Sequence, residues 1–327
     1  MDRLQNIVIG VDFSEFSQVA LAQARRIARW NQSDLHFVHV VDELVVKELH
    51  KAMSHSPEKI TQDILQTTQK KIDKLFAEDP LERRKDQPGS GGTEYDDRRV
   101  NDQRRIELKP EVVVGTPFEE LLRQVKDANT DLLMLGSNGM NKPVGGLGDL
   151  ATKCVRKAEC RVMIVRESHA KPFTGIVACV DFSSTSPQVV EQAIRVARQD
   201  KAKLHVVHAF SPPWDVLHYK SPTAASSPDF QKQYRDNLYA ELENYLQKHK
   251  EDIEGLDVAC QLLESPRPVD SIIEYVGDTG ADLVVVGTRG RTGVKALLLS
   301  TQAERIVQNT PVSVLVLKPS GFSYDVT

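Results

Sequence analysis

Cysteine is scarce. The 327 residues hold four, Cys154, Cys160, Cys179 and Cys260, none in CxxC spacing. That excludes a disulfide framework and a thiolate metal site, and leaves reduced thiols as the expectation. Histidine adds nothing for a metal. His36 and His39 stand three apart on a strand and face opposite ways, and neither His39 nor His208 has a second ligand in register. No apolar run approaches the roughly 18 to 20 residues of a membrane span. The net charge of −4 and a pI near 6.2 supply no positive field for nucleic acid or an anionic membrane. The opening MDRLQNIVIGVDF enters a strand-like segment without a signal-peptide pattern, so the expected compartment is the cytoplasm.

Familiar catalytic signatures are missing as well. There is no GxxxxGK[ST], which sets aside a P-loop kinase or ATPase, and no GxSxG nucleophile elbow. Neither first strand is followed by GxGxxG. No acid/base pair stands out, so no catalytic residue is expected.

What is present is a repeat. Ile7-Val-Ile-Gly-Val-Asp12-Phe-Ser14 returns as Ile176-Val-Ala-Cys-Val-Asp181-Phe-Ser183, and Leu35-His-Phe-Val-His39 as Leu204-His-Val-Val-His208, both 169 residues on. Asp131-Leu-Leu-Met-Leu-Gly136 returns as Asp282-Leu-Val-Val-Val-Gly287 only 151 residues on, so the first copy is 18 residues longer between its second and fourth strands. Residues 83–105 (RRKDQPGSGGTEYDDRRVNDQRR) account for the excess. They hold almost no apolar groups, cannot offset their ordering entropy and read as a disordered insertion.

Each copy alternates short Val/Ile/Leu-rich strands with amphipathic helices. The strands are expected at 7–11, 35–41, 111–114, 132–135 and 162–165, then at 176–180, 204–209, 258–263, 283–286 and 312–317. Runs apolar on both sides suit parallel sheets covered on both faces. The expectation is an α/β chain of two tandem doubly wound, five-stranded, Rossmann-like domains, residues 1–168 and 171–320. A helix is expected to open with Ser186 as cap and Pro187 at its first position. Between the second and third strands of the second copy, Trp214, Leu217, Tyr219, Phe230, Tyr234, Leu238, Tyr239, Leu242 and Tyr245 read as helical core or as an apolar pocket or partner surface.

In such sheets ligands bind beyond the C-terminal strand ends. The loops there carry Asp12 and Asp181 after the first strands. After the fourth strand of the second copy comes Gly287-Thr-Arg-Gly290, running to Ser300-Thr301, with Arg289, Arg291 and Lys295 nearby. Glycines let backbone approach a ligand, and a helix opening at Thr301 would offer free N–H groups to phosphate. A second reading needs no ligand: Thr301-Gln-Ala-Glu304 is a capping box, Asp149 a preferred cap, and Asp12 and Asp181 can cap their own turns.

With these loops and VDFS at both first strands, the chain resembles the universal stress protein family, whose ATP-binding members carry G-x2-G-x9-G-[S/T]. Gly287, Gly290 and Thr301 match that pattern, and Ser300 replaces its third glycine. The resemblance implies that Asp181 and Ala209 line an adenine and ribose pocket, and that Gly287, Gly290, Ser300 and Thr301 cradle the phosphates of ATP, or of ADP or AMP, with Mg²⁺ an accompanying option. The first-copy counterparts are Asp12, Val40, Gly136, Gly139 and Gly148. Its loop is one residue short and ends at Asp149 where the family has a hydroxyl; an ionised carboxylate accepts hydrogen bonds only and repels phosphate, even with Lys142 and Lys153 nearby. A weak or vacant first site is expected. Three functions follow: a stress-response protein that signals through nucleotide occupancy, a nucleotide-free scaffold, or a slow ATPase. Family members often dimerise through the last strand, so the two copies are expected to pair within one chain as a pseudo-dimer, with a homodimer of chains left open.

Overall fold

The computed structural model describes residues 3–52, 56–77, 108–139, 146–166, 170–216, 227–288, 301–319 and 321–322. The insertion 83–105 lies outside them, as do Leu217, Tyr219, Gly290, Ser300 and the cations Lys142, Arg289, Arg291 and Lys295.

The first copy runs β1 (Asn6–Gly10), α1 (Glu15–Asn31), β2 (Asp34–Asp42), α2 (Glu43–Ala52), α3 (Pro57–Ala77), β3 (Leu108–Gly115), α4 (Pro117–Asp127), β4 (Leu132–Gly136), α5 (Asp149–Lys157) and β5 (Arg161–Val165). The second runs β6 (Gly175–Cys179), α6 (Ser186–Asp200), β7 (Lys203–Phe210), α7 (Pro213–Val216), α8 (Pro228–Gln247), β8 (Val258–Glu264), α9 (Pro268–Thr279), β9 (Leu283–Gly287), α10 (Thr301–Asn309) and β10 (Ser313–Leu317). Within each copy every strand pair is parallel.

The two five-stranded sheets are one. Their order is β3-β2-β1-β4-β5-β10-β9-β6-β7-β8, and the final strands meet antiparallel with Val314 opposite Ile164 and Val316 opposite Val162. The unpaired edge that each copy would present is consumed by the other. This is the intramolecular pseudo-dimer expected from the repeat. Because the seam is antiparallel, the C-terminal strand ends of the two copies point to opposite edges of the sheet.

Strand alternation sorts the core into two layers that run through both copies. Ile7, Ile9, Met163, Ile176, Ala178 and Leu315 face one layer; Val8, Ile164, Val177 and Val314 face the other. Strand β3 begins at Leu108, three residues before the expected Glu111, and includes Pro110. An edge strand accepts a proline because its outer side has no ladder to feed. In α8 only Leu238 and Leu242 are buried, while Phe230 and Tyr239 are 39% and 41% exposed.

Three cap assignments differ from the sequence reading. Gly148, not Asp149, caps α5: its carbonyl accepts the first helical bond from Thr152 N at 2.9 Å, and its own N–H donates to Ser137 O at 2.9 Å. Asp149 is the first helical residue. Likewise Thr185, not Ser186, caps α6, accepting from Val189 N at 3.1 Å. Thr301 is already the first residue of α10 rather than its cap.

Opposite charges and helix ends tie the copies together. Arg26 pairs with Asp200, and Arg195, 169 residues after Arg26, donates to Asn31, the counterpart of Asp200. On the other face Arg156 pairs with Glu304.

Candidate functional site

The turn after each first strand is built alike. Asp181 Oδ1 accepts from Ser183 N and from Ser186 Oγ, both at 3.0 Å; Asp12 Oδ1 accepts from Ser14 N at 3.0 Å and Ser14 Oγ at 2.6 Å. These are self-capping Asx turns, so one oxygen of each aspartate serves the fold. The turns force Phe13 and Phe182 to φ values of 63° and 57°, a strained region for an aromatic residue.

Each strained Phe packs on the strand-two histidine, with ring centroids 4.7 Å apart for Phe13 and His39 and 4.3 Å for Phe182 and His208. His39 Nδ1 lies 2.7 Å from Val11 O, and His208 Nδ1 lies 2.7 Å from Val180 O. A carbonyl only accepts, so each Nδ1 carries a proton. Burial pushes His39 below the ordinary imidazole range. Both histidines therefore latch strand two to the first turn. Sequence reading gave them no role, and their equal position in the repeat was the available signal.

In the second copy, β6, β7 and β9 end at a cleft that is open to solvent. Asp181, Ala209 and Gly287 all line it, together with Thr185, Ile272 and, from the first turn of α10, Gln302. Three of the residues picked from the sequence are thus brought together, although 106 residues of chain separate Asp181 from Gly287. A Cβ on Gly287 would stand 2.9 Å from Thr185 Cγ2, so glycine is required here by close approach. Thr185 was missed by sequence reading. Its hydroxyl is buried without a hydrogen-bond partner, in the wall of the cleft. The turn of α10 that borders the cleft carries backbone N–H groups with no intrahelical acceptor. The lining mixes polar groups, Asp181, Ser183, Thr185 and Gln302, with the apolar Ala209, Val269 and Ile272, which suits a ligand with both a polar and an apolar part.

In the first copy the equivalent glycine, Gly136, packs against Phe16, the counterpart of Thr185. A Cβ on Gly136 would meet the Phe16 backbone carbonyl carbon at 2.7 Å, and one on Gly139 would meet Asp12 Oδ2 at 2.9 Å. The loop after β4 therefore lies directly on the Asp12 turn, with Ser14 Oγ at 3.5 Å from Asn138 O. The Gly148 amide donates to Ser137 O. Val40 packs into the core layer beside α4. Among the described residues no group of three or more His, Cys, Asp or Glu is placed to hold a metal ion, and no helix is long and apolar enough to cross a membrane.

A sequence profile described as the Universal stress protein family matches residues 3–166 and again 172–318. A universal stress protein of Methanocaldococcus jannaschii is 30% identical over 145 residues, covering 44% of this chain and 81% of that protein. One from Mycobacterium tuberculosis is 25% identical over 226 residues, covering 68% of this chain and 72% of that protein. Among solved structures, a universal stress protein from Archaeoglobus fulgidus aligns over 96% of this chain and 98% of its own, with a TM-score of 0.59 at 15% identity. A protein of unknown function from Pseudomonas aeruginosa aligns over 97% and 93%, with a TM-score of 0.59 at 17% identity. At these identities the structures attest the fold.

Proposed function

The chain belongs to the universal stress protein family, and from that membership we propose that it binds an adenine nucleotide in the cleft of its second copy and acts by passing on occupancy, not by catalysis. The two functional units are residues 1–168 and 171–320. ATP is the favoured ligand, because each added phosphate gains from the N-terminal turn of α10; ADP and AMP bind more weakly in the same place, and Mg²⁺ enters with the triphosphate. The nucleotide is met in the cytoplasm, and protein partners read the result.

The observation that carries this reading is the convergence of Asp181, Ala209, Gly287 and the first turn of α10 on one cleft. Asp181 would meet the ribose, Ala209 would leave room for the base, and Gly287, Gly290, Ser300 and Thr301 would hold the phosphates. For the first copy a nucleotide-free role is favoured. Asp12, Gly136, Gly139 and Gly148 form its counterpart set, but the Gly148 amide is spent on Ser137 O and Gly139 leans on Asp12.

Thermal denaturation with and without Mg²⁺ and each of ATP, ADP and AMP tests the assignment. At a hundredfold excess over Kd, ligand adds about 2.7 kcal/mol to the folded state, and the shift is expected to be largest for ATP. Asp181→Ala and Gly287→Val should lose most of it, while Asp149→Ser should keep it. If none of the three nucleotides moves the wild-type transition, the second copy is a scaffold and the reading fails. Steady phosphate release that disappears in Gly287→Val would replace signalling with hydrolysis.

A further inference from the structure

Helix α10, whose first turn borders the cleft, packs its apolar face on its own copy but takes polar contacts at both ends from the other. Arg166, the residue after β5, reaches across the seam to the far end of α10. Its guanidinium donates to Val307 O at 2.6 Å and to Thr310 O at 2.8 Å, the carbonyls that a helix C-terminus leaves without partners. Arg156, from α5 of the first copy, donates to Glu304 in the first turn of α10. From its own copy α10 receives Arg305 to Asp270 at 3.1 Å.

The reciprocal arrangement exists but is weaker. Lys318 stands 152 residues after Arg166, as Leu317 does after Val165, and its ammonium donates to Val155 O, the counterpart of Val307 O, and to Arg156 O at the end of α5. A lysine ammonium meets its carbonyls through one nitrogen, whereas the Arg166 guanidinium uses two nitrogens in a fixed fork, one on Thr310 O and one on Val307 O. The counterparts of Arg156 and Glu304 are Gln308 and Thr152, which cannot form an ion pair. The copies are alike in fold, yet the helix of the second is clamped at both ends by two arginines of the first.

We propose that the first copy is a built-in positioning partner for the second copy's nucleotide site, with Arg166 and Arg156 fixing α10 so that its first turn meets the phosphates. The inference rests on the nucleotide reading above. A cation at the C-terminus and an anion at the N-terminus both favour the same helix dipole, so Arg166 and bound phosphate reinforce one another through α10 without touching. Fusion of two copies then has a use even where the first binds nothing: it supplies a clamp that a separate subunit would supply only at sufficient concentration.

Titration calorimetry on the full chain with ATP and with adenosine, both with Mg²⁺, separates this from a general structural role. Arg166→Gln should weaken ATP by about three- to tenfold and leave adenosine unchanged, since only the phosphates meet α10. Arg166→Lys should recover part of the loss. Arg156→Gln, a change at a partly exposed side chain, should weaken ATP by about two- to threefold with adenosine again unchanged, and it decides the matter should Arg166→Gln fail to fold. Equal weakening of ATP and adenosine, or no change in either, overturns the proposal. Wild-type protein that binds neither overturns the nucleotide reading instead.

Discussion

Asp200→Ala is expected to lower stability by about 3–5 kcal/mol in urea denaturation, among the largest effects of any single polar change. The Asp200 side chain is 2% exposed and pairs with Arg26 of the first copy. It also accepts from Phe173 N at 2.8 Å and from Gln199 Nε2 at 3.0 Å. Removing it leaves a guanidinium, 22% exposed and held over the Phe173 ring at 5.4 Å, without its counter-charge, and strips an amide of its acceptor. The pair joins the first helix of one copy to the last turn of the equivalent helix in the other, so the loss is felt by both. Asp200→Asn keeps shape and one acceptor, as Asn31 does naturally for Arg195, and should cost less than half as much. A loss below about 1 kcal/mol for Asp200→Ala would mean that the junction is solvated and the copies are only loosely joined.

Such contacts explain what the sequence displayed and what it hid. The strands were legible because a parallel strand covered on both faces must be apolar at every position, as Ile7–Ile9 and Leu283–Val286 are. The seam was legible because a duplicated fold with an apolar last strand has one obvious way to bury its open edge. Caps were not. Gly148 and Asp149 are both good cap residues, and the choice falls to Gly148 through its bond to Ser137 O, a contact made only when the loop folds back. Asp181 and Gly287 could be picked by their places at strand ends and Ala209 through the family resemblance, but Thr185 could not: its approach to Gly287 depends on where α6 begins. Arg166 gave no local signal because its partners lie 141 and 144 residues away. Short-range pattern fixes elements, whereas cross-copy polar contacts depend on the final angle at which two finished sheets meet.

The junction also sets a distinctive response to alkali. Cys154, on the inner face of α5, is fully buried and Cys160 is 8% exposed, and burial pushes both thiols up to about 12 from an ordinary 9.0. Above pH 9 the unfolded chain sheds these protons while the folded chain keeps them. Their stabilisation is complete below pH 9 and drains as pH climbs, by about 2.5 kcal/mol per thiol at pH 11. Lys318, packed against the same pair, works in the opposite sense. Burial pulls its ammonium down to about 8 from 10.5, so the folded chain releases a proton that the unfolded chain holds, and stability rises between pH 8 and 10.5 by about 3 kcal/mol at most. Cys179 and Cys260 are raised by burial as well, to about 12 and about 11. The wild-type curve, measured by urea denaturation under reductant, should therefore fall beyond about pH 9. Cys154→Ala with Cys160→Ala should make the fall shallower, and Lys318→Met should make it steeper. The comparison uses slopes against pH, because the substitutions also cost packing at every pH. A double-alanine variant that declines as steeply as wild type from pH 9 to 11 would place the alkaline sensitivity elsewhere and show that these two thiols sit in water when the protein is folded.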